Sequence, residues 1–144
     1  MPTTHRAVLS SIAVFLPILI FSGAACAFDL NGAWATNPDQ CDKVFERKAD
    51  GIVLRESSDL YGSGFVIDGK KVVGKTARCT INSKSQDEST ITFLASCATE
   101  IMLDNIQFSI KIVNDDTISR IFPGIPGMAV NFSRCPSSAL RRNT

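Results

Sequence analysis

The sequence predicts an all-β domain, a small antiparallel meander barrel with one short N-terminal helix. Three features carry that reading. Residues 105–113 place Ile106, Phe108, Ile110 and Ile112 on one side and Gln107, Ser109 and Lys111 on the other. This period of two sets one face on a core and the other in water. Turn signals recur at short intervals, among them Asp68-Gly69, Asn114-Asp115-Asp116 and Pro123-Gly124. An apolar N-terminal run and an even set of remaining cysteines mark an exported chain, the setting in which small sheets are held by disulfides. A two-layer β-sandwich would satisfy the same pattern, whereas closure into a barrel removes the exposed edges.

The leader comes first. Residues 1–6 carry Arg6 and the amino terminus, residues 7–21 are apolar apart from Ser10, Ser11 and Pro17, and Ala25 and Ala27 form an A-x-A cleavage pattern. Residues 1–27 therefore read as a signal peptide cut before Phe28, and the mature domain as periplasmic or secreted. The alternative is a membrane anchor through residues 7–27, just long enough to span. Lipidation at Cys26 is the weaker option, because Gly23 stands where a Leu-like residue is usual. Residues 28–136 then form one domain with a single core, and 137–144 a loose polar tail.

The leader takes with it Arg6 and no acidic residue, which leaves 14 Lys and Arg against 14 Asp and Glu. A neutral, scattered charge pattern gives no basis for nucleic acid as a partner, and a membrane enters only if the leader is retained. Loss of Cys26 leaves Cys41, Cys79, Cys97 and Cys135, which read as two disulfides. Of the three pairings, Cys41–Cys135 with Cys79–Cys97 is favoured, because Cys79 and Cys97 lie on neighbouring segments while the other two flank the barrel-forming region. A four-thiolate metal site is the alternative, but no pair has C-x-x-C spacing, and no metal or cofactor is expected.

Within the domain, residues 29–34 read as a first strand. Asn37 is an N-cap, Pro38 suits the first helical position and Gln40 the capping-box position, which predicts a helix over 38–48 ended by Ala49-Asp50-Gly51. Residues 52–55 form a short edge and 57–64 a loop. Residues 65–67 and 71–73 are a hairpin around Asp68-Gly69, and 76–82 alternates. Residues 83–88 read as a polar connection into a strand over 89–97, whose Ile91, Phe93, Ala95 and Cys97 share a face. Residues 117–122 and 128–135 are the last strands, separated by Pro123-Gly124-Ile125-Pro126-Gly127.

Chemistry is constrained by one absence. His5 is the sole histidine and lies in the leader, so the mature chain has no imidazole base, no Ser-His or Cys-His nucleophile and none of the usual histidine metal ligands. No catalytic residue is assigned and no enzyme is expected. Asp87-Glu88, Glu100 with Asp104, and Asp115-Asp116 offer only turn carboxylates for an alternative, carboxylate-based hydrolase. Tyr61-Gly62-Ser63-Gly64-Phe65 precedes a strand and not a helix, so its G-x-G reads as a bend and not as a phosphate cradle. Tyr61 is a candidate binding residue or a packed rim residue, and Ile125 either projects from its Pro/Gly loop or folds inward to close the barrel. Phe65, Phe93, Phe108 and Phe132 are the candidate lining for a small apolar ligand.

Gly32-Ala33-Trp34, a short helix nearby and a late-strand Arg134 resemble the calycin-type barrels, which include lipocalins and small periplasmic protease inhibitors. The resemblance implies that Trp34 closes one end of the barrel beneath Arg134, with Gly32 beside it, as a structural plug. The mature chain also resembles small exported bacterial proteins of an uncharacterised family. That resemblance rests on Trp34-Ala35-Thr36, Cys41, Tyr61-Gly62-Ser63-Gly64-Phe65, Gly74-Lys75, Cys97-Ala98-Thr99 and Arg134-Cys135-Pro136. These readings converge on an exported, non-catalytic binding or inhibitory module that meets a protein partner through its end loops. The alternative is a carrier of a small apolar ligand in the barrel interior.

Overall fold

In the computed structural model, which describes residues 27–140, eight antiparallel strands close on themselves. The strands in chain order are β1 (Gly32–Ala35), β2 (Phe45–Lys48), β3 (Gly51–Leu54), β4 (Gly64–Asp68), β5 (Lys71–Gly74), β6 (Arg78–Asp87), β7 (Thr90–Ala98), β8 (Leu103–Asn114), β9 (Thr117–Ile121) and β10 (Ala129–Cys135). From β4 to β10 each strand pairs with its successor, and β1 closes the ring between β10 and β4, with Trp34 opposite Arg134 on one side and Phe65 on the other. The barrel, and not the sandwich, is the architecture. The expected signal peptide and residues 141–144 of the tail lie outside the described residues, Ala27 excepted.

The alternation in residues 105–113 falls in β8. Ile110 is buried there, and Ile106, Phe108 and Ile112 are partly buried against the interior. In β7, Ile91, Phe93, Ala95 and Cys97 are buried, with exposed or half-exposed residues between them. The disulfides are Cys41–Cys135 and Cys79–Cys97, the favoured pairing. Cys79 and Cys97 stand directly opposite each other on β6 and β7.

Three expectations are corrected. The helix predicted over 38–48 is a 3-10 turn, Pro38–Gln40, followed by the single helical turn α1 (Cys41–Val44), and Phe45 onward is strand. Asn37 does cap that start, its side chain accepting from the Asp39 amide at 3.1 Å. The run Phe45-Glu46-Arg47-Lys48 pairs with β3 around Ala49-Asp50, and burial of Phe45 outweighs the helical preference of its polar neighbours. The polar connection expected at 83–88 is mostly strand, since β6 continues to Asp87. These residues run past the end of β5, so neither face is covered and the side chains are polar, while the backbone ladder to β7 persists. The expected loose tail also begins with packed residues: Ser137–Ala139 is a 3-10 turn and Leu140 is buried beside Cys135.

The β2–β3 hairpin and α1 cover the outside of β1 and β4, where Ala33, Ala35, Val66, Val44, Phe45 and Cys135 form a second core. Gly64 permits that approach. A Cβ there would lie 2.7 Å from the Phe45 ring and 2.9 Å from the Trp34 carbonyl oxygen.

The two disulfides close chain loops of different size, with sequence separations of 94 and 18. Loop-closure entropy gives the larger about 4–5 kcal/mol and the smaller about 3 kcal/mol. Denaturant unfolding of Cys41→Ala/Cys135→Ala is expected to show a larger stability loss than Cys79→Ala/Cys97→Ala. The reverse order would mean that the cross-strand pair acts by packing inside the barrel and not by chain entropy.

Candidate functional site

The meander gives the barrel two unlike ends. At one, short turns follow β4, β6 and β8, and residues 28–31 lead into β1. At the other, the longer connections after β1, β5, β7 and β9 gather.

The short-turn end is shut. Trp34 is fully buried and points inward from β1, its indole Nε1 donating to the Leu30 carbonyl at 2.8 Å. The Arg134 guanidinium lies over the Trp34 ring at 4.2 Å. Its Nη1 donates to the Asn31 carbonyl at 2.6 Å and its Nη2 to the Asp29 carbonyl at 2.7 Å. Gly32, at φ +125°, lets the chain turn beneath that guanidinium; a Cβ there would be strained and would sit 3.5 Å from Nη1. Asn31 Oδ1 accepts from the Gly69 amide at 2.8 Å, which ties the β4–β5 turn to the same floor.

Above this floor the barrel is not filled. A cavity of about 520 Å³ is walled by Phe65, Ile67, Val72, Phe93, Phe108, Ile110, Ile118 and Phe132, and it reaches Ser58, Gly62, Ser63, Lys75 and Ala77 in the long connections. All four phenylalanines named from the sequence are in the wall, and Phe65 and Phe132 meet edge to face at 4.9 Å between centroids. The cavity is therefore a cup with one open end.

Its lining holds few polar groups. Arg120 extends inward from β9 with its guanidinium 4.9 Å from the centroid of Phe108 and 4.8 Å from that of Phe122. Burial pulls the Arg120 guanidinium below its usual value. The buried Ser58 hydroxyl lines the same cavity and has no hydrogen-bond partner among the described residues. At the rim, Lys75 pairs with Asp59 at 3.6 Å and donates to the Glu56 carbonyl. Arg120 was not legible as a site residue from composition or motif. The signal for it was parity: it stands two residues after Ile118 and shares that residue's inward face.

The remaining candidates sit outside the cup. Ile125 is 55% exposed and Tyr61 is 38% exposed, with Lys43 Nζ 5.0 Å from the Tyr61 ring centroid. Both lie at the open end, as do the exposed Leu60, Ile101, Met102, Leu103 and Met128. Gly62, at φ +130°, and Ser63 form a bend stitched to β1, the Thr36 hydroxyl accepting from the Ser63 amide at 3.0 Å, and strand β4 follows directly. Asp87, Glu88, Glu100, Asp104, Asp115 and Asp116 are exposed. The two disulfides fit an oxidising compartment, and among the described residues no helix is long and apolar enough to cross a membrane. Comparison with protein-family models, with curated proteins and with solved structures finds no match.

The floor generates a stability prediction. Arg134→Met removes the stacked cation and leaves the Asn31, Asp29 and Asp115 carbonyls without this donor, an expected loss of about 1–3 kcal/mol. Asp116→Asn removes only an exposed 3.6 Å ion pair and is expected to stay within about 0.5 kcal/mol. Equal losses in denaturant unfolding would contradict the account of the floor.

Proposed function

We propose that the protein is a non-catalytic binding module that takes up a small, largely apolar molecule through the open end of its barrel. The observation that carries this reading is the unfilled interior. An eight-stranded barrel is just wide enough either to pack its own side chains or to hold one small ligand. About 520 Å³ of space among four phenylalanines and four isoleucines is the second case. It falls within the roughly 300–1,000 Å³ of small-molecule sites. An apolar void excludes water and gains contacts when an apolar guest fills it. The resemblance to calycin-type barrels supports the same reading, with Trp34, Gly32 and Arg134 serving as plug and not as contact.

A second reading has its own support. The exposed side chains of Ile125, Leu60, Ile101 and Met128 gather at the open end, and Tyr61 stands with them. This favours contact with a protein partner through the end loops. In that case Ile125→Asp abolishes partner capture from the exported fraction while interior binding is unchanged.

The interior is tested with an uncharged fluorescent probe, N-phenylnaphthylamine. The wild type is expected to bind it at one site per chain with a blue-shifted emission. Val72→Phe adds bulk to the cavity wall and is expected to weaken binding at least about tenfold, at a stability cost of no more than about 1–3 kcal/mol from its contacts with the interior clusters. Unchanged binding in Val72→Phe would place the probe on the surface and defeat the reading.

A further inference from the structure

We propose that the ligand is an amphiphile with a single carboxylate head, seated so that its apolar chain fills the cup and its carboxylate meets the Arg120 guanidinium. This deepens the apolar-ligand reading and rests on it. Among the described residues the Arg120 guanidinium has neither an ion-pair partner nor a hydrogen-bond acceptor; it lies against the rings of Phe108 and Phe122. Two other half-buried arginines, by contrast, are matched: Arg134 by the carbonyls of Asn31, Asp29 and Asp115, and Arg55 by the Asp42 and Phe45 carbonyls and Glu46. A permanent cation facing an apolar cavity without a counter-charge is destabilising. The direction in which burial moves Arg120 reports that same cost. The ring contacts use none of its N–H donors in a hydrogen bond, and a carboxylate engages such donors through two parallel hydrogen bonds.

Position agrees with charge. Arg120 is the penultimate residue of β9, close to the open end and opposite Ile110, while Ile67, Ile118 and Phe132 line the wall on the way to the shut floor. A chain entering tail first brings its head to Arg120 and its methyl end toward the Trp34 floor. The unpartnered Ser58 hydroxyl, in the same lining, is a second donor for a head-group oxygen.

The test displaces the uncharged probe with dodecanoate, dodecanol and dodecylamine, which share a tail and differ in the head. Dodecanoate is expected to bind at least about tenfold tighter than dodecanol, and dodecylamine weakest, as a charge-assisted hydrogen bond to Arg implies. Arg120→Met is expected to erase the advantage of dodecanoate while the affinity for dodecanol stays within about twofold. Arg120→Lys keeps the charge without the planar fork and is expected to retain part of the preference, and it carries the test should the Met variant fail to fold. Pairing with Arg120 lowers the bound carboxyl's pKa, so the preference holds above the free acid's pKa and is lost as pH falls through the ligand's titration. Equal binding of dodecanoate and dodecanol, or a preference that survives Arg120→Met, overturns this proposal and leaves the apolar-ligand reading standing. If none of the three displaces the probe, both fall.

Discussion

The cation–π contact between Arg134 and Trp34 is the constraint from which the rest of the structure follows. Arg134 belongs to β10 and Trp34 to β1, so the contact joins the last barrel strand to the first at the point where the ring closes. The guanidinium also gathers the carbonyls of Asn31 and Asp29, groups that the incoming chain would otherwise leave without a donor. Gly32 is required there because only its backbone turns under the guanidinium at φ +125°. With one end sealed by an indole, the space above it can open in only one direction.

The same strand explains the asymmetry of the flank. β1 is buried on both faces, Trp34 into the barrel and Ala33 and Ala35 against the excursion through α1, β2 and β3. Small residues on the outer face let that excursion lie close, and Gly64 on the neighbouring strand removes the one Cβ that would hold Phe45 away. Cys41–Cys135 then fastens the excursion to the end of β10. A short domain thus obtains two cores from one sheet, which frees the barrel interior from having to supply all of the packing.

Legibility followed the physics of each segment. β7 and β8 were readable because one face of each is core, so polarity alternates. Asp68-Gly69 was readable because Gly69 adopts φ +57° in a two-residue turn. Phe45–Lys48 misled because a capped start and polar side chains resemble a helix, and only the tertiary burial of Phe45 decides otherwise. Residues 83–87 misled because a ribbon exposed on both faces has no alternation to detect. The phenylalanines of the cup could be named in advance, but whether they pack together or leave a void is a matter of barrel radius that no linear pattern encodes. Arg120 was marked only by parity, a charge two residues after Ile118 on the same inward face of β9.

These elements describe a rigid, oxidised, imidazole-free barrel with a sealed floor and an apolar interior that its own side chains do not fill. The claim on which the functional account turns is that the interior, and not the apolar rim, receives the ligand. Methyl NMR of isoleucine-labelled protein during addition of dodecanol addresses it directly. Ile67, Ile81, Ile110 and Ile118 line the cavity, and Ile101 and Ile125 lie exposed at the open end. The account requires saturable shifts and contacts to the dodecanol chain at the four interior residues. Shifts confined to Ile101 and Ile125 would contradict it and place binding on the rim.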